Sequence, residues 1–231
     1  MKTLWPYVDD EILINEIRII LKTLQLESEE IDIYRNTLDP FSAMFDMALQ
    51  NISFEDWIEQ EKARQSQKTM QNTVGYFHQH ILGAIDGWED TGSGGEFDLI
   101  NTEKKIIVEL KNKHNTFNST SAGGTYRKMA RHLDDGYLDY RGYVVTVIPK
   151  YPKRFVRPFA PSEPGESHPA RNDLMIVDGA SFYEIATGDK DALKKLYNAL
   201  PSAIEHAKNG VHMDIDSSSE FSELFTKSFG G

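Results

Sequence analysis

The run Tyr143-Val144-Val145-Thr146-Val147-Ile148 constrains the fold more than any other segment of the chain. As a strand it has no face suited to water, so it belongs at the centre of a sheet covered on both sides. Such a sheet needs helices to cover it, and the sequence supplies them. Between Asp9 and Leu26 the apolar positions Leu13, Ile17, Ile20, Leu21 and Leu24 recur at spacings of three and four behind the N-cap candidates Asp9 and Asp10, which predicts a helix. Asp39-Pro40 opens a short helix through Phe45 and Leu49. Ser53 opens a long one from Phe54 to about Ile85, with Glu55 and Asp56 in its first turn. The polar tract from Gln60 to Asn72 is expected to face solvent or to hide a break. Residues 125–133 and 189–208 read as further helices.

The pattern changes at Gly92-Ser93-Gly94-Gly95. Residues 97–100 and 105–110 form short apolar runs separated by Asn101-Thr102-Glu103-Lys104, a hairpin signal. Asn115 to Gly124 is rich in Ser, Thr, Asn and Gly and reads as a loop. Six of the nine prolines fall between Pro149 and Ala170, which predicts irregular chain there. Leu174–Val177 and Phe182–Ile185 read as strands, and residues 211–231 as a tail that frays. The expected class is α/β, a mixed central sheet flanked by helices. With no linker to divide it, the chain reads as one domain, residues 1–231, whose first 52 residues are helical.

Composition removes whole classes of function. With no Cys there is no disulfide framework, thiolate zinc site or cysteine nucleophile. A mean hydropathy of −0.49 without a long apolar run argues against a membrane span. The first residues lack the apolar stretch of a signal peptide, so a cytoplasmic protein is expected. The net charge of −11 conceals a basic stretch. Residues 104–172 hold 13 Lys and Arg against 6 Asp and Glu, leaving 12 against 30 elsewhere. An acidic body with one basic segment suits a polyanion bound at a confined site.

Chemistry concentrates in Gly94-Gly95-Glu96-Phe97-Asp98-Leu99-Ile100, a turn, and Ile106-Ile107-Val108-Glu109-Leu110-Lys111-Asn112-Lys113. Glu109 and Lys111 are two apart on a strand, so both side chains leave the same face. If Asn101 stands opposite Lys104, Asp98 faces Ile107 on that face, one diagonal step from Glu109. Two carboxylates could then hold Mg²⁺ through oxygen, and the ammonium could position water or phosphate. In that register Glu96 would stand directly opposite Glu109 and competes with Asp98 for the role. His78 and His80, two apart on a helix, point apart and make no metal pair. The glycines fall short of GxGxxG, and no GK[ST] run is present, so neither a dinucleotide site nor a P-loop is expected.

Asp98, ten residues, then Glu109-x-Lys111 resembles the catalytic core of the PD-(D/E)xK nuclease superfamily, with Phe97 where that motif's name has Pro. The longer run from Val108 to Thr116, with Tyr76-Phe77-His78-Gln79-His80 upstream, is similar to a family of type II restriction endonucleases that cut GGNCC-type sites, over roughly residues 56–185. The resemblance implies a restriction-endonuclease-like core over residues 53–208 and Mg²⁺-dependent hydrolysis of double-stranded DNA. It further implies metal ligation by Asp98 and Glu109, water activation or orientation by Lys111, a homodimer and a bacterial source. An upstream helix in this superfamily often adds a ligand, which singles out Gln79 or His78. Asn112, Lys113, His114, Asn115, Asn118 and Ser119 follow the catalytic strand and are expected on the DNA side. Lys150, Lys153, Arg154 and Arg157, interleaved with aromatics and prolines, suit groove entry, and Arg127 and Lys128 suit phosphate contacts. The rival expectations are a structure-specific or repair nuclease on the same core and a non-catalytic DNA-binding protein on a degenerate one.

Overall fold

The computed structural model describes residues 3–29, 33–92, 94–116, 118–210 and 219–230. Along the chain run α1 (Asp10–Glu29), α2 (Pro40–Gln50), α3 (Phe54–Gly83), β1 (Glu89–Asp90), β2 (Leu99–Asn101), β3 (Ile106–Lys113), α4 (Ser119–Asp134), β4 (Arg141–Ile148), β5 (Val156–Pro158), β6 (Ser162–Glu163), β7 (Glu166–Ser167), β8 (Leu174–Asp178), α5 (Gly179–Thr187), α6 (Ala192–Ala207) and α7 (Ser219–Phe229). The main sheet has the order β1-β2-β3-β4-β8-β5, and β6 and β7 pair as a separate small hairpin. β3, β4 and β8 are parallel, while β2, β1 and β5 add antiparallel edges.

β4 is central because residues 142–147, all buried, leave it no face for water. Tyr143, Val145 and Val147 pack with Val108, Leu110 and Val177 into a core that Leu13, Ile17, Phe77, Ile81, Phe182 and Leu196 complete from the helices. On the opposite face Val144 joins Ile107 and Leu174 beneath Tyr126, Met129 and Leu133 of α4. Each strand thus sends alternate side chains into two cores.

Four local expectations change. Residues 182–185 are helical: the Asp178 carboxylate accepts from Ser181 N and from Phe155 N, starting α5, and Gly188 ends it in the left-handed region. Gly179 lets that helix begin against β4, since a Cβ there would stand 2.5 Å from the Val147 carbonyl oxygen. Residues 119–124 are also helical. Asn118 and Ser121 form a reciprocal capping box that satisfies the first N–H groups of a Ser- and Gly-rich segment otherwise poor in helix propensity. The polar tract of α3 neither breaks nor lies wholly in solvent. Glu61 and Gln65 are buried, and Gln65 bridges Glu61 Oε1 (2.8 Å) and the Ile33 carbonyl (3.2 Å). Of the tail, residues 211–218 lie outside the described residues. Residues 219–229 form α7, whose buried Phe225 packs on Tyr197.

Candidate active site

The β2–β3 ladder pairs Asn101 with Ile106 and Leu99 with Val108. The connection is longer than the assumed two residues: the Asn101 side chain accepts from Lys104 N, and Lys105 takes a positive φ of 55°. The register therefore differs from the expected one by two residues. A shift of two leaves every side chain on its face, so Asp98 stays with Glu109 and Lys111 but comes beside Glu109 instead of diagonal to it. Asp98 is fastened to β3 twice. Its N–H donates to the Val108 carbonyl (2.8 Å), and its Oδ2 accepts from Leu110 N (2.6 Å). Glu96 is carried away from the cluster, with an exposed side chain 3.2 Å from His132 Nδ1.

Glu109 is the electrostatic centre. Only 5% of it is exposed, and each carboxylate oxygen meets a lysine: Oε1 accepts from Lys111 Nζ at 2.7 Å and Oε2 from Lys128 Nζ at 2.6 Å. Burial works to raise its pKa, but the two ammonium groups outweigh it and hold the carboxyl below its ordinary value. Asp98 goes the other way, raised first by burial and then by the Glu109 charge. A buried and a half-buried carboxylate pushed apart in this manner are relieved by a divalent cation bound to both, and oxygen donors of this kind suit Mg²⁺. Sequence reading placed Lys128 among the phosphate contacts. The turn of α4 over the sheet points it at Glu109, and only the packing of α4 could reveal that.

Asp98 and Lys111 open into a cleft of about 420 Å³ that Gln71, Tyr76, Gln79 and Asn112 also line. Of the two candidates Gln79 and His78 on α3, Gln79 lines this cleft, and its Nε2 donates to Asp90 Oδ1 at 2.7 Å. His78 faces the core instead, with Nδ1 2.9 Å from the Tyr183 hydroxyl, and it is not in the cluster. Burial lowers the His78 pKa to about 4. The unfolded chain takes up that proton near the ordinary value of 6.5, so stability is full above pH 6.5 and falls as the pH drops toward 4. Between pH 7 and 5 the protein should lose about 2 kcal/mol more, in urea melts, than His78→Gln, which keeps a partner for Tyr183.

The remaining basic and polar candidates divide. Lys113 and Asn115 line the same cleft, and Asn112 Nδ2 donates to the Gln71 carbonyl (3.0 Å). His114 borders a second cleft of about 610 Å³ with Lys150, Lys153, Arg154 and Arg157. Asn118 and Ser119 are exposed at the start of α4, where the Asn118 side chain is occupied as the cap. Arg157 extends over the Phe155 ring, its guanidinium carbon 5.7 Å from the centroid. Two arginines differ from expectation. Arg127 is held by Glu163 and Glu166, which tie α4 to the β6–β7 hairpin. Arg154 is held by Glu184, by the Ala180 carbonyl (3.1 Å) and by Ser181 Oγ (3.2 Å), fastening the proline-rich segment to α5. Glu163, Glu166 and His168 also cluster, but Arg127 already supplies their counter-charge.

The family description "Eco47II restriction endonuclease" matches residues 5–208, which takes in the whole sheet and the cluster on it. The chain belongs to that family. Membership makes it a restriction endonuclease, a site-specific nuclease that acts on double-stranded DNA. It is 43% identical over 215 residues to the type II restriction enzyme Eco47II of Escherichia coli, covering 88% of each chain. To the type II restriction enzyme Sau96I of Staphylococcus aureus it is 30% identical over 236 residues, covering 95% of this chain and 87% of that one. Among the described residues of this family member no helix is long and apolar enough to cross a membrane.

Proposed function

We propose that this endonuclease hydrolyses phosphodiester bonds of duplex DNA at a GGNCC-type site in a Mg²⁺-dependent reaction on a PD-(D/E)xK core, within the bacterial cytoplasm. The observation that carries this reading is the buried Glu109 carboxylate, gripped by Lys111 and Lys128 beside the raised Asp98. Asp98 and Glu109 are the residues that would hold the metal, which when bound supplies Lewis-acid polarisation of the phosphate and an acidified water. Lys111, already on the cleft side, orients the attacking water and offsets charge developing on the phosphate oxygens. Lys128 balances Glu109 from the helix side and keeps its carboxylate ionised and aimed. Gln79 borders the cleft from α3 and orients groups there through its amide. The protein acts as a homodimer, each subunit cutting one strand of a near-palindromic site.

The test is digestion of a plasmid carrying GGNCC-type sites with Mg²⁺. Discrete fragments with ends mapping to those sites are expected, and excess chelator should abolish them. Random degradation, or undiminished cutting after chelation, would overturn the reading.

The basic side chains should separate by role. Arg157→Ala should cost roughly 1–3 kcal/mol at cognate duplex and lower the cognate-to-random ratio, because a groove arginine donates to base edges. Lys113→Ala should weaken all duplexes alike and reduce the salt slope by about one. Arg154→Ala, a tie to α5, should lower the unfolding midpoint and leave the ratio nearly unchanged. Anisotropy titrations across a salt series, with urea melts, check all three.

A further inference from the structure

α2 is built inside out. It turns its smallest apolar residue inward, with Ala43 6% exposed, and its largest outward: Phe41, Met44, Phe45 and Leu49 are 69–86% exposed. Positions 41, 45 and 49 are four apart and share one face, and Phe54, 55% exposed, stands just beyond at the start of α3. Single exposed apolar residues are ordinary, but a contiguous helix face is not.

We infer that this face is where a second copy of the chain docks, so that the α2–α3 arm forms the dimer interface. The inference rests on the homodimer proposed above and names the surface that makes it. Three observations favour this occupant. The first is area. At these exposures, with about 150–250 Å² for each aromatic side chain, the five residues offer on the order of 600 Å², and their polar surround brings this near the roughly 800 Å² per partner of a standard interface.

The second is charge. Asp46, Glu55 and Glu59 lie exposed around the tip, Lys62 pairing Glu59 alone (2.7 Å), and Arg64 beyond them is already held by Glu61. An acidic rim repels DNA. With DNA disfavoured there, a protein surface is the occupant that fits this apolar face.

The third is preparation and place. Asp39 caps α2 at Phe41 N (2.9 Å) and Ser42 N (3.2 Å), a capping box of Ser53 and Asp56 starts α3, and Asn36 bonds Gln65 (2.9 Å) across the arm. A surface held this firmly loses little conformational entropy on docking. Residues 71–79 of α3 border the cleft, and residues 54–70 carry the helix about 25 Å further on. The apolar face shares no residue with the cleft, so it can be covered while the cleft stays open to DNA.

The chain's lack of cysteine makes a clean test possible. Phe45→Cys in the full chain should form a disulfide-linked dimer under mild oxidation, whereas Leu138→Cys, equally exposed but outside the arm, should not. Phe45→Glu should raise the dimer dissociation constant, read by sedimentation, about 100-fold or more with an unchanged circular dichroism spectrum. At concentrations below that constant it should nick plasmid more than linearise it. If Phe45→Glu stays as dimeric as the parent and Phe45→Cys does not cross-link, the surface is wrong while the dimer reading stands. A parent chain that is monomeric with and without duplex, yet cuts both strands, overturns both. Protection of Phe45→Cys from maleimide by duplex in a monomeric protein assigns the face to DNA and likewise overturns the inference.

Discussion

Glu109→Ala is expected to lose cleavage by roughly three orders of magnitude or more under single-turnover conditions while still binding cognate duplex. The carboxylate is buried between two lysines beside Asp98, so its removal empties the centre of the proposed metal site without touching the basic cleft around Arg157. Binding without metal should hold or tighten, because two ammonium groups previously neutralised by Glu109 then face the phosphate. The fold should tolerate the change: the Lys111 and Lys128 side chains are 32% and 36% exposed and can rehydrate. Glu109→Gln, which keeps the volume, should be nearly as inactive. Cleavage by Glu109→Ala or Asp98→Ala close to that of the parent chain would overturn the site. Glu96→Ala should be mild, since its exposed carboxylate lies by His132, away from the cluster.

The second large effect separates two roles for Lys111. Its Nζ donates to Glu109 Oε1 on the cleft side, a placement suited to a fixed positive charge. Arg cannot serve as a base but can keep that charge, so Lys111→Arg should retain weak cleavage while Lys111→Ala retains almost none at saturating Mg²⁺. Equal inactivity of both, with DNA and metal binding intact, would rule out a purely electrostatic role. Lys128→Ala should fall between them. It removes one of the two charges that hold Glu109 ionised.

How far this protein was legible beforehand follows from which signals are local. The centrality of β4 is written in a run with no polar face, and α1 in the spacing of Leu13 and Ile17, because burial on two sides or on one stripe leaves a pattern in the chain itself. The sharing of one face by Asp98, Glu109 and Lys111 was legible for the same reason: a strand alternates with period two, so even a misjudged turn that moved the register by two residues kept them together. Their exact neighbours were not legible, because the turn geometry at Lys105 depends on tertiary fit.

What only the tertiary structure decided was the fate of segments whose local signals were weak or balanced. Phe182–Ile185 is apolar enough for a strand, yet Asp178 caps it into a helix that packs on β4. The Ser-Thr-Gly segment before Tyr126 has poor helix propensity, yet a capping box and the hydrophobic face of α4 carry it into a helix. Arg127 and Lys128 are adjacent and chemically alike, and sequence assigned them one role. On α4 they diverge by about 100°, so Arg127 meets Glu163 of a remote hairpin and Lys128 meets Glu109. Local pattern fixes which face a residue occupies, but its partner is set by what another part of the chain brings there.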